Sequence, residues 1–175
     1  MKKIIAFGGS SSQSSINKQL ALYAASLFQD AEVEGLDLND YALPVFSVDL
    51  EQQDGIPAPA LAFYEKLRTA DLIVLSLAEH NGAYSAAFKN TLDWASRING
   101  KTFQEKPLLL LATSPGARGG ASVLEIASKR FPFQGADLKG SFSLPSFYDN
   151  FDAELGISNP ELKAQLLALI ESISF

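Results

Sequence analysis

The stretch Gly9-Ser10-Ser11-Ser12-Gln13-Ser14-Ser15-Ile16-Asn17 places a glycine and a run of hydroxyls directly before a segment of helical period. Those residue types in that order suit a phosphate. Glycine lets the backbone come close, hydroxyls donate hydrogen bonds, and the first amides of a helix attract an anion. No Gly-Lys-Ser/Thr follows, so the lysine and magnesium ligand of nucleoside triphosphate hydrolysis are missing. Gly8 and Gly9 alone do not make the spaced-glycine fingerprint of a dinucleotide site. A serine-rich turn that simply caps a helix accounts for the same residues, so the loop by itself leaves both readings open.

Two further loops carry unusual chemistry. Ala78-Glu79-His80-Asn81-Gly82-Ala83-Tyr84-Ser85 offers edge hydrogen bonds from His80 and Asn81, close backbone approach at Gly82 and a flat surface at Tyr84, which together would suit a planar ring. Taken alone, His80 reads first as a loop residue satisfied by its neighbours. Ser114-Pro115-Gly116-Ala117-Arg118-Gly119-Gly120 is either a set of tight turns before a helix or a wall that lets a flat ligand approach the backbone. Arg118 could attract a second phosphate, although a solvated arginine is the commoner case. Phe88 and Trp94 fall at helical spacing from apolar neighbours and read as core.

The elements that would position these loops follow from the apolar pattern. Short apolar runs alternate with longer segments of helical period, the signature of a parallel sheet covered by helices. Strands are expected at Ile4 to Phe7, more weakly through Val33, Leu36 and Leu38, then at Leu72 to Leu75, Leu108 to Ala112 and Phe142 to Leu144. Helices are expected over 15–28, around Leu61 to Thr69, over 86–98 and 121–131, and from Asn159 to Ile173. Leu43-Pro44-Val45-Phe46 is followed by an acidic, proline-bearing connection to about Pro59, and Ser146 to Ser158 reads as a segment lying across the surface. Five strands and five helices suit one doubly wound α/β domain over residues 1–175 with strand order 2-1-3-4-5. In such a sheet, ligands bind beyond the carboxyl ends of the strands where the order reverses, at the loops after the first, third and fourth strands. Those are the three loops singled out above.

Composition narrows the partners. Twenty acidic against fourteen basic residues give a formal net charge of −6 without a basic cluster, which argues against nucleic acid. There are no cysteines and one histidine, so thiolate and multi-histidine metal sites and a cysteine nucleophile are excluded. No apolar run reaches the roughly 18 residues of a membrane span. The four apolar residues before Gly8 are too few for a signal peptide, so a cytoplasmic protein with no membrane partner is expected.

The three motifs together resemble the NADPH-dependent FMN reductase family, which is flavodoxin-like and includes quinone, azo-dye and chromate reductases. The family pattern Gly-Ser-x-Arg-x-x-Ser-x-Asn is met by Gly9, Ser10, Ser15 and Asn17. The pattern running from Pro-Glu-Tyr-Asn-Gly to Leu-Lys-Asn-x-Leu-Asp-Trp is met by Glu79, Asn81, Gly82, Lys89, Asn90, Leu92, Asp93 and Trp94. The likeness covers about residues 3 to 130. Ser12 replaces the usual arginine of the phosphate loop, and Ala78, His80, Ser85 and Ala86 depart from the pattern around the ring loop.

The resemblance implies bound FMN, with NADPH or NADH as reductant and a quinone, free flavin, azo compound or metal oxyanion as acceptor. It implies a homodimer or homotetramer, and no side chain acting as acid or base. Gly9, Ser10, Ser12, Ser15, Ile16 and Asn17 would take the phosphate, and Glu79, His80, Asn81 and Gly82 the ring, with Ser114, Pro115, Gly116, Gly119 and Gly120 closing the far side. An electron carrier docking on a protein partner, or a flavin-free interaction protein, is the alternative reading.

Overall fold

The computed structural model describes residues 1–175. Strand β1, Lys2–Gly9, is an inner strand of a five-stranded sheet, with the edge strand β2 (Ala31–Leu36) on one side. On its other side lie β3 (Leu72–Leu77), β6 (Lys106–Thr113) and β7 (Ala136–Leu144). Every pairing is parallel. Counting only the sheet strands, the order is the expected 2-1-3-4-5; a two-stranded hairpin, β4 (Glu79–His80) and β5 (Ala83–Tyr84), stands between the third and fourth of them.

Because successive strand side chains point to opposite faces, one sheet makes two cores. Ile5, Phe7, Ile73, Leu75, Leu108 and Leu110 meet α3 (Ala58–Arg68), α4 (Ala86–Ile98) and α5 (Ala121–Arg130). Ile4, Ala6, Leu72, Val74, Leu109 and Leu111 meet α1 (Ile16–Ser26) and α7 (Pro160–Ser172). Burial on both faces is why the central strands read as unbroken apolar runs.

The structure departs from expectation at the periphery. Leu38 belongs to a 3-10 turn, Leu38–Tyr41, because Asp37 accepts from the amide of Asn39 and ends the strand. The acidic, proline-bearing connection contains a helix not expected from the sequence, α2, Val48–Asp54, capped by Ser47 and closed by Gly55 at φ 78°. The last sheet strand is longer than its apolar tail, since at a sheet edge half its side chains face solvent and Lys139 is an extra residue in the ladder. The segment Ser146 to Ser158 folds into α6 (Phe147–Asn150) and a hairpin of β8 (Phe151–Asp152) and β9 (Gly156–Ile157), and it buries Phe147 and Ile157.

Three partly covered ion pairs brace the β2 edge. Glu34 lies between Lys3 at 2.7 Å and Lys66 at 2.5 Å, and Asp37 meets Lys18 at 2.6 Å. The Lys3 and then the Lys66 ammonium hold Glu34 below the ordinary value of 4.5, and Lys18 with the Asn39 amide holds Asp37 below 3.8. Carboxylates with depressed folded pKa add stability that is complete above their unfolded values and is lost as pH falls through the folded ones. The melting temperature should therefore drop on acidification below about pH 5. The drop should be shallower in Asp37→Asn, which calorimetry across pH 3 to 6 would measure.

Candidate functional site

In register, Gly9 lies opposite Leu77, Leu77 opposite Ala112, and Thr113 opposite Leu144, so the loops after β1, β3 and β6 leave the sheet side by side. One buried side chain joins them. Asn17, in the first turn of α1, accepts at Oδ1 from the Ser76 hydroxyl (2.7 Å) and the Thr113 amide (3.1 Å). Its Nδ2 donates to the Thr113 carbonyl at 3.2 Å, and the Thr113 hydroxyl continues the chain to the Leu144 carbonyl at 2.7 Å. The Asn17 side chain is thus committed to the interior, and what it leaves for a ligand is its backbone amide.

The head of α1 has the features of an anion site. Ser15 caps it, its Oγ accepting from the Lys18 amide at 3.1 Å while its own hydroxyl proton stays free. The amides of Ile16 and Asn17 have no partner in the backbone network, as expected in the first turn of a helix. This end can sit against β1 only because residue 8 is glycine: a Cβ there would lie 2.5 Å from the Lys18 nitrogen.

The second loop is the β4–β5 hairpin. Asn81 (φ 52°) and Gly82 (φ 77°) are both left-handed, the conformation a two-residue hairpin turn needs. A Cβ on Gly82 would meet nothing within 4 Å, so the turn, and no close contact, is what calls for glycine there. Ser85 caps α4 through the Phe88 amide and donates to the Gly9 carbonyl at 2.8 Å, tying the second loop to the first. Tyr84 does not offer a surface to the cleft. It packs parallel to Phe131, centroids 5.9 Å apart, with its hydroxyl buried and unpartnered, and burial pushes its pKa up to about 12.

In the third loop, the Gly116 carbonyl accepts from the amides of Gly119 and Ser146, and the Ser114 carbonyl from that of Phe147. Gly119 and Gly120 face the sheet: a Cβ on Gly119 would lie 2.8 Å from the Pro145 nitrogen, and one on Gly120 2.9 Å from the Ala112 methyl. Arg118 donates to Ser122 at 2.9 Å and stays outside the cleft.

Of the residues nominated from sequence, Ser10, Ser12, Ser15, Ile16, Asn17, Glu79, His80, Ser114 and Pro115 line one cleft; Gly9, Asn81, Gly82, Gly116, Gly119 and Gly120 belong to the same three loops and do not line it. Ser14, Ala78, Thr113 and Tyr148 also line it and were not foreseen. Tyr148 follows the buried Phe147 and is 71% exposed, a buried-exposed pair in a segment with no longer periodicity to give it away. The cleft has no lysine or arginine on its wall, so positive potential comes from amides and the helix dipole alone.

The Lys89-to-Trp94 motif lies on α4 and acts on the fold. Asn90 accepts from the Phe46 amide at 2.9 Å and donates to the Pro44 carbonyl at 3.0 Å. One turn on, the fully buried Trp94 donates to the same carbonyl at 2.8 Å. Together they clamp the Leu43 to Phe46 segment.

A 2-1-3-4-5 parallel sheet with a helix head of free amides and hydroxyls beyond the carboxyl ends of its strands defines a flavodoxin-like fold with a candidate phosphate site. The profile of the family described as NADPH-dependent FMN reductase matches residues 2–149, and the chain belongs to that family. It is 34% identical over 146 residues to an uncharacterised protein of Mycoplasma pneumoniae, covering 81% of this chain and 86% of that one. It is 35% identical over 79 residues to a quinone reductase of Escherichia coli, covering 45% of this chain and only 42% of the relative. Among solved structures, the flavoenzyme NAD(P)H:(acceptor) oxidoreductase FerB of Paracoccus denitrificans superposes with a TM-score of 0.78 at 22% identity, covering 98% and 94% of the two chains.

Proposed function

We propose that the protein is an FMN-dependent NAD(P)H oxidoreductase acting on small acceptors of the quinone class. The observation that carries this is the head of α1, where two partnerless amides sit among the hydroxyls of Ser10, Ser12 and Ser15. That donor set fits a phosphate monoester, and the Gly8 contact fixes it against the sheet. The ring would lie between Glu79 with His80 and the Ser114 to Gly116 turn, with Tyr148 at the rim. When bound, FMN supplies the hydride and electron transfer between nicotinamide cofactor and acceptor. The chain's own part is to bind, orient and shield.

A homodimer or homotetramer is the assembly we propose, with Val45 of the clamped segment and Val48 just beyond it as exposed apolar surface. No helix is long and apolar enough to cross a membrane, and we assign the protein to the cytoplasm.

Flavin-free protein should oxidise NADPH with a quinone only after FMN is restored; an electron carrier would bind FMN yet leave NADPH untouched. Because the phosphate would meet no side-chain cation here, Ser12→Arg should tighten FMN binding by about three- to tenfold through a charge-assisted bond. Fluorescence titration checks this, and unchanged affinity would place the phosphate away from Ser12.

A further inference from the structure

Helix α5 lacks a cap of its own. Its N-cap residue, Gly120, is left-handed at φ 76° and has no side chain to receive the first amides. Glycine is held there by the approach of the Ala112 methyl, so the chain cannot place a serine or aspartate at that position without moving the helix. The missing acceptor comes from elsewhere. Oε2 of Glu79 accepts from the Val123 amide, the third of the helix, at 3.0 Å. Glu79 opens the β4–β5 hairpin, where it pairs with Tyr84, and it also lines the cleft. One carboxylate therefore spans from the loop after β3 to the helix that follows the loop after β6. Its charge faces the positive end of the α5 dipole, which favours a carboxylate over a neutral acceptor.

We propose that Glu79 is a positioning residue: it clamps the β4–β5 hairpin to the head of α5 and so sets the separation of the two walls between which the flavin ring is held. The bond to Val123 leaves Glu79 one carboxylate oxygen, so the clamp and the cleft share a single side chain. The proposal rests on the FMN reading above for its consequence, and on the Glu79–Val123 bond alone for its mechanism.

Two variants and two readouts test it. Glu79→Ala removes the acceptor, while Glu79→Gln keeps an oxygen able to accept from the Val123 amide. In flavin-free protein, hydrogen exchange at Val123 should speed up by about tenfold in Glu79→Ala and by much less in Glu79→Gln. FMN affinity should follow the same order, weakened about five- to tenfold in Glu79→Ala and largely rescued in Glu79→Gln. If exchange at Val123 is the same in wild type and Glu79→Ala, the clamp does not exist in solution. If exchange responds but FMN affinity does not, or if the glutamine fails to rescue affinity, Glu79 does not position the walls for the ring. A wild-type protein that takes no FMN defeats the reading of function, and the exchange arm still reports separately on the clamp.

Discussion

Asn17→Ala should destabilise the protein by about 3 to 5 kcal/mol and abolish measurable FMN binding. The residue is 3% exposed and its amide serves the Ser76 hydroxyl and both backbone groups of Thr113. Truncation strands those groups in the interior, at about 1 to 3 kcal/mol for each one left unsatisfied, not fully additive. It also releases the head of α1 from the ends of β3 and β6, where all three loops converge. Asn17→Asp separates the two effects. At neutral pH it sets a buried carboxylate against the Thr113 carbonyl, which disfavours the charged form and raises the folded pKa. Its stability should be greatest below the unfolded aspartate pKa and fall as pH rises, opposite in sign to the acid response of Glu34 and Asp37. Urea unfolding of both variants at pH 4 and 7 measures this. A wild-type midpoint for Asn17→Ala would mean that the network adds nothing.

Gly8→Ala should also be damaging, although it adds only one methyl. That methyl would stand 2.5 Å from the Lys18 nitrogen and 3.0 Å from the Asn17 carbonyl carbon, both backbone, so no side chain can turn aside. The helix head must shift outward, at a cost of about 1 to 3 kcal/mol for overpacking, and the proposed phosphate donors move with it. Gly82→Ala is the natural comparison. It has open space around it and only a positive φ to strain, at about 1 kcal/mol, so α1 should keep its seat. FMN binding should fall far more in Gly8→Ala than in Gly82→Ala. Equal losses would mean that the seating of α1 on β1 is not what prepares the phosphate site.

The parts of the fold legible in the sequence are those buried on both sides. Ile4 to Phe7, Leu72 to Leu75 and Leu108 to Ala112 are continuous apolar runs because helices cover both faces of the sheet. The edge hid itself for the same reason, since Asp137, Lys139 and Ser141 in β7 mix polar residues into a strand. The β4–β5 hairpin has strands of two residues, too short for any periodicity, and its one local signal was Asn81-Gly82.

The site shows a similar division. A loop of serines ahead of a helix is readable as an anion site from local chemistry. The work of Asn17, Glu79, Gly8 and Gly120 depends on partners 44 to 96 residues away or on backbones brought close by the fold. Chemistry of that kind has no local pattern, which is why sequence does not reveal that the Asn17 side chain is committed to the interior and leaves only its backbone amide for a ligand. Tyr84 illustrates the reverse case, an aromatic residue of the ring loop that is half-buried against Phe131.

The central claim is that the head of α1 holds the phosphate of FMN, and comparing FMN with riboflavin tests it most directly, because the two differ only in that phosphate. Fluorescence titration of flavin-free protein should give FMN an affinity at least about a hundredfold above that of riboflavin, a difference of about 2.8 kcal/mol. The gap should collapse in Gly8→Ala. Riboflavin binding as tightly as FMN would contradict the account.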